Sequence, residues 1–388
     1  MRANTMKASP IPLFEPCLRG REWSYVKECL DTNWISSVGS FVGRFEELMA
    51  RRIGVGHAVA TVNGTAALHI ALQLAGIGPD DEVLLPTLTF IAPANAIRYV
   101  GAQPVFMDAE PDYHQLDAGK TLDFIKKECR WVRGVLKNKS TGRRVRAIMP
   151  VDVLGHPADF ASVKTIADKY GLALIEDASE SLGSRYRGRA TGQGARLSCF
   201  SFNGNKLVTT GGGGMLLSDD EGLARQARHL TTQAKGPGVE YIHDRVGYNY
   251  RLTNLLAAVG AAQLEQLEGF VRIKRAVASR YEAGLRGVPG LTLMREARWA
   301  RSTFWMYTVL VDEKRFGMDS RALLGRLAGK GIMTRPLWQP MHRSPAHAGA
   351  QSYHCETADR LYRDAISLPS SVSLTRAQQA RVISVIRS

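Results

Sequence analysis

The chain reads as an α/β protein in two parts: a sheet covered by helices on both faces, then a smaller α/β unit. Two observations carry that reading. Up to about residue 255, short apolar runs alternate with segments of helical periodicity. From Leu252 the pattern becomes one long helical repeat (Leu255, Val259, Leu264, Leu267, Val271), and new strands and helices follow it. At 388 residues the chain exceeds the size at which a single core usually stops growing. We therefore expect a large domain over residues 1–255 and a small one over residues 256–388.

The elements follow in order. Residues 66–75 place apolar side chains at helical spacing. Residues 83–86 form a short buried strand, with a helix at 93–99 after it and another strand at 105–108. Residues 120–146 are charged and lack clear periodicity, which predicts an inserted helix and loop. A strand over 147–153, a helix over 161–170 and a strand over 172–177 continue the alternation. Residues 199–202 and 215–217 read as a strand pair around a glycine-rich turn. The periodicity over 252–286 predicts one long helix, followed by a strand at 305–311 and helices at 320–327 and 375–386. There is no internal repeat and no low-complexity segment.

Composition narrows the function classes. Hydrophobic content of 45% and charged content of 22% are ordinary for a soluble globular protein. No run approaches the ~18 consecutive apolar residues of a membrane span. The first seven residues contain no apolar core of a secretory leader, and Pro10 and Pro12 follow directly. Cys17, Cys29, Cys129, Cys199 and Cys355 are scattered and odd in number, with no metal spacing and no disulfide framework. These features predict a cytoplasmic enzyme without a membrane partner. The net charge of +15 raises the question of nucleic acid. The basic residues are spread thinly, and the densest runs, at 143–146 and 272–275, carry no nucleic-acid motif, so no nucleic-acid partner is expected. A positive surface also attracts a pyrophosphate substrate.

Four features fit one cofactor, pyridoxal 5'-phosphate. Ser201-Phe202-Asn203-Gly204-Asn205-Lys206 ends an apolar strand beside the glycines 211–214. A lysine held in a packed site can lose its proton and attack an aldehyde. Asn63-Gly64-Thr65 precedes a helix, whose N-terminus offers amides and a positive dipole end to a phosphate. Asp177 ends the strand 172–177, where ligands of open α/β sheets sit, and its carboxylate could hold a pyridine nitrogen protonated. Pro86-Thr87-Leu88-Thr89-Phe90 places a flat ring just beyond another strand end. Taken singly, each has an ordinary structural explanation: a surface lysine, a helix cap, a core phenylalanine.

Together these strings resemble the nucleotide-sugar aminotransferases of the DegT type, a branch of the fold-type I pyridoxal-phosphate enzymes. The resemblance runs in order through residues 63–69, 86–96, 175–181, 200–206 and 247–252, with Trp34-Ile35-Ser36 near the start and Arg335-Pro336 to His342 near the end. It implies a large domain with a mostly parallel central sheet and a smaller C-terminal α/β domain. It further implies that Lys206 carries the cofactor, Asp177 pairs with the ring nitrogen, and Phe90 stacks on the ring. Gly64, Thr65 and Ser201 would bind the phosphate. Asn249 and Arg251 would reach the cofactor phosphate and substrate region of the neighbouring subunit, which makes the active unit a homodimer. Trp34, Arg251, Arg335 and His342 would meet the substrate.

Where family members often carry His or Gln, three residues after the aspartate, this chain has Glu180, which we place at the cofactor. That departure resembles a subgroup making nucleotide-linked 4-amino-4,6-dideoxy-N-acetyl hexosamines for surface glycans, as do residues 142–144, 203–206 and 231–235. The implied reaction moves an amino group from L-glutamate to the 4-keto carbon of a UDP- or GDP-linked 6-deoxy sugar. No metal is implied. A sugar dehydratase on the same scaffold would have histidine in place of Lys206. A non-catalytic regulatory relative would not need Lys206, Asp177 and Ser201 together. The glycines 211–214 lack the spacing of a nucleotide-binding P-loop.

Overall fold

A computed structural model describes residues 9–388; residues 1–7, which carry the expectation of no secretory leader, lie outside them. The main sheet has ten strands. Its principal order is His57–Thr61, Gly214–Ser218, Leu197–Ser201, Ala173–Asp177, Arg144–Ile148, Asp81–Pro86, Gln103–Met107 and Ser352–Tyr353. From Leu197–Ser201 outward these strands run parallel. Gly214–Ser218 runs antiparallel to both its neighbours. The sheet is therefore mixed and mostly parallel, buried on both faces, which is why its strands read as continuous apolar runs.

The helix Gly64–Leu74 starts sharply because the Asn63 side chain accepts from the Ala66 amide at 2.8 Å. Its residues Ala66 to Leu72 are all buried. The second sheet is antiparallel, in the order Leu291–Leu293, Tyr307–Val311, Ala365–Leu368 and Arg335–Pro336. Val277, Tyr281, Leu327 and Val382 pack over it. Ile11 joins this second core, bridging to Ile332, and the Ser370 amide donates to the Leu13 carbonyl. Ser352–Tyr353 crosses the other way, to the edge of the main sheet.

Several expectations change. The segment 120–146 holds a helix, Ala118–Glu128, and then a hairpin of Cys129–Val132 with Val135–Asn138 instead of a loop. Arg133 and Gly134, at φ 50° and 78°, make the two-residue turn that matches strand twist. The strand expected over 147–153 spans Arg144–Ile148; Pro150 has no amide to continue the ladder. The long helix is two, Asn254–Glu265 and Leu267–Leu285, divided at Gln266, whose carboxamide donates to Glu22. The 305–311 strand begins at Tyr307, because Phe304 turns the chain at φ 49°. The helices Glu22–Asp31, Ser40–Ile53 and Glu221–Thr231 and the strand His57–Thr61 were not anticipated. Among the described residues no helix is long and apolar enough to cross a membrane.

Candidate active site

A cleft of about 300 Å³ opens where the parallel strands end. Gly64, Thr65, Phe90, Asp177, Glu180, Ser201 and Lys206 all line it, brought together from four segments of the sequence. One end is built for an anion. Gly64 and Thr65 form the first turn of the helix that Asn63 caps, and Ser201 lies across from them. The approach is close. A Cβ on Gly64 would stand 2.9 Å from that of Ser201, and one on Gly214 would stand 2.3 Å from the Asn63 carbonyl oxygen.

At the other end Asp177 is 3% exposed and accepts from the Ser179 amide at 3.1 Å. Burial holds its carboxyl above the usual range, while the Ser179 bonds and the Lys206 charge pull it back down. Phe90, 53% exposed, offers its ring between the two ends. The Thr89 hydroxyl, buried and without a partner, also faces this cleft. A helix N-terminus with two hydroxyls, an aromatic face, a carboxylate and an amine fit the phosphate, ring, ring nitrogen and aldehyde of pyridoxal phosphate in turn.

Lys206 Nζ sits 3.2 Å from Glu180 Oε1 and 4.2 Å from the centre of the Trp305 ring. Burial raises the Glu180 carboxyl above its usual range, and the Lys206 charge opposes that shift. The other Glu180 oxygen accepts from the Leu154 amide at 2.9 Å. Behind Asp177 lie two more buried carboxyls. Asp152, pushed up to about 7 by burial, accepts from Ser181 and from the Ala158 amide. Glu176 is pushed well above the carboxylate range by burial and by Asp152. One Glu176 oxygen accepts from Gly192, and the other has no partner.

The remaining candidates lie outside this cleft. The Arg251 guanidinium is 2.5 Å from Glu46, which also binds Arg228 at 3.1 Å. Asn249 is exposed two residues away. Trp34, 55% exposed, borders a separate hollow, and its carbonyl accepts from Asn254. Arg335 is exposed and donates to the Thr334 carbonyl. His342 bonds Thr87 at 2.8 Å, three residues before Phe90, with Asp359 3.4 Å from its other nitrogen. Sequence reasoning missed Trp305 and Trp338, which line the cleft from far along the chain. Trp338 lies within the string 335–342 that carries the resemblance, whereas nothing in the local sequence around Trp305 signals a site.

Residues 16–387 match the DegT/DnrJ/EryC1/StrS aminotransferase family. GDP-perosamine synthase of Caulobacter vibrioides is 39% identical over 379 residues, 97% of either chain. The synthase of the same name from Escherichia coli O157:H7 is 38% identical over 368 residues, 95% of either chain. Among solved structures, Streptomyces venezuelae DesV in complex with a ketimine intermediate superposes with a TM-score of 0.87 at 31% identity, covering 98% of both chains. A DegT DnrJ EryC1 StrS aminotransferase from Brucella abortus gives 0.86 at 28% identity, over 95% of this chain and 94% of that one.

Proposed function

This chain belongs to the DegT/DnrJ/EryC1/StrS aminotransferase family as a pyridoxal-phosphate-dependent nucleotide-sugar aminotransferase, and we propose that it aminates the 4-keto carbon of a nucleotide-linked 4-keto-6-deoxy hexose or N-acetyl hexosamine, with L-glutamate as donor. The observation that carries the proposal is the single cleft in which Lys206, Asp177, Phe90 and the Gly64–Thr65–Ser201 cradle converge. The relatives named for a GDP-linked 4-amino sugar support the position of amination and favour GDP among the two nucleotides expected.

The bound cofactor supplies an electron sink for the carbanion formed at the amino-acid α-carbon. The chain supplies the rest. Lys206 Nζ would remove the α-proton of the amino donor and later give a proton back, acting as base and then as acid. Asp177 keeps a positive ring nitrogen in a buried place where it would otherwise be costly. Gly64, Thr65 and Ser201 hold the phosphate, and Phe90 covers one ring face. The same groups then act in reverse on the keto-sugar.

Assembly as a homodimer completes the reading. Asn249, exposed beside the stacked rings of Tyr248 and Tyr250, reaches the partner's phosphate cradle, and Arg251 braces that segment on Glu46. Trp34, Arg335 and His342 meet the sugar nucleotide around the cleft. The deciding experiment incubates pyridoxamine-loaded protein with UDP- and GDP-linked 4-keto-6-deoxy sugars, with and without the 2-acetamido group, and follows the cofactor spectrum. Conversion to the aldehyde form with a 4-keto sugar is expected. Conversion with none of them overturns the proposal.

A further inference from the structure

We propose that Trp305 and Glu180 form a berth that receives the Lys206 side chain whenever it is not bonded to the cofactor, with Trp305 as the positioning residue of that berth. The inference rests on Lys206 being the cofactor-bearing lysine.

The two walls of the berth have one foundation. Glu180 Oε1 stands 3.2 Å from Lys206 Nζ, and the indole face of Trp305 lies 4.2 Å from it on another side. An ammonium over an indole face is attracted by the ring quadrupole. Glu180 Oε2 is fixed by the amide of Leu154, a residue at φ 61°. The next residue, Gly155, packs so tightly on Trp305 that a Cβ there would stand 2.7 Å from the Trp305 nitrogen. One short turn, Val153–Gly155, thus holds the Glu180 carboxylate and abuts the Trp305 backbone that carries the indole.

Trp305 is also held from two further directions. Its Nε1–H donates to the Asn205 carbonyl at 2.8 Å, which ties the ring to the residue preceding Lys206. Its own carbonyl accepts from Lys274 Nζ at 2.6 Å. Lys274 is 1% exposed, donates to the Ser370 carbonyl as well, and lies over the Phe14 ring. Among the described residues it has no carboxylate partner. Burial lowers the titration of Lys274 to about 7, and its amine, held by two carbonyls alone, pins the backbone of Trp305.

The test uses apo-protein whose lysines are reductively methylated with 13C-formaldehyde. The Lys206 resonance is identified by its loss in Lys206→Arg. In the wild type it should lie upfield of the other dimethyl-lysines, displaced by the indole ring current. Trp305→Leu should return it to the position of exposed lysines. Trp305→Phe, which keeps a smaller ring, should leave a reduced shift of the same sign and serves if the leucine variant does not fold. The half-reaction of the holoenzyme with glutamate should slow by up to about tenfold in Trp305→Leu and by less in Trp305→Phe, as the loss of a cation–π contact allows. A Lys206 signal at the exposed position in the folded wild type, or one that neither Trp305 variant moves, overturns the berth. Borohydride fixation of the cofactor at another lysine would instead overturn the assignment of Lys206 and leave the ring-current result standing.

Discussion

Gly214 and Asn63 touch backbone to backbone: a Cβ on Gly214 would lie 2.3 Å from the Asn63 carbonyl oxygen and 2.6 Å from the Gly64 nitrogen. The strand that returns from the lysine loop thereby presses directly on the cap of the phosphate-binding helix. Gly214→Ala should push that cap out of place. Overpacking of this kind costs about 1–3 kcal/mol. We expect pyridoxal phosphate affinity, measured by equilibrium dialysis, to fall at least about fivefold, with circular dichroism little changed. Unaltered affinity would show that the helix end does not bind the phosphate.

Asp177→Asn removes the charge facing the ring nitrogen. Transamination should fall by about 10²–10⁴, a barrier increase of several kcal/mol. The cofactor should still bind through the cradle at the opposite end. Near-wild-type turnover in a coupled glutamate assay would reduce Asp177 to a cap for Ser179.

Glu176 and Asp152 can bond to each other only when one of them carries a proton, and the free Glu176 oxygen has no other donor. Both carboxyls titrate above their unfolded values, Asp152 at about 7. Their contribution to stability is therefore greatest below about pH 4 and declines as the pH rises, for Asp152 through about 7. The amide introduced by Glu176→Gln can donate to Asp152 at every pH. Apo-protein with this substitution should melt above the wild type at pH 8, by about the 1–3 kcal/mol cost of an unpaired buried polar atom. The gap should close near pH 4. A pH-independent gap would contradict the shared proton.

His156 accepts from the Ala297 amide at Nε2 and meets the Pro157 carbonyl at Nδ1, at 3.0 and 2.8 Å. Those partners require a neutral ring protonated at Nδ1. Burial lowers its titration to about 4. The stability it confers is complete above pH 6.5 and is lost as the pH falls from there towards 4. Nitrogen-15 NMR at pH 5.5 should find this imidazole neutral with the proton on Nδ1. A charged ring at that pH refutes the assignment.

Mixing Lys206→Ala chains with Asn249→Ala chains tests the shared site. If Asn249 serves the partner, each mixed dimer holds one site with both residues intact, and activity should reappear from two inactive parents. No recovery after subunit exchange proven by mass spectrometry would place Asn249 in its own subunit's chemistry.

Much of the site was legible because its residues sit beside turns and strand ends, where chain geometry restricts composition. Asn63 must cap, Gly64 must admit Ser201, and Asp177 must end a strand, so local strings reveal them. Trp305 was illegible because only tertiary packing brings it to the cleft, and Trp338 stands unnamed inside the string 335–342, of which only the ends are expected to meet the substrate. The hairpin at 129–138 escaped because one of its faces is solvated and its strands are short and charged. The division at Gln266 escaped because apolar spacing continues across it unchanged. The strand His57–Thr61 was overlooked although four of its five residues are buried.

Ile11 and Leu13 take backbone partners made more than three hundred residues later, Ile332 for the first and Ser370 for the second. A ribosome releases the first of these partners long before it has made the last. The backbone bonds of the early segment therefore form late, and the second sheet closes only after synthesis has almost finished. Contacts of such long reach slow folding. The berth around Lys206 depends on that last step, because Trp305 is pinned by Lys274, whose other carbonyl is that of Ser370. A nascent chain can thus assemble the phosphate cradle early, but it gains a correctly walled lysine only when its two ends have met.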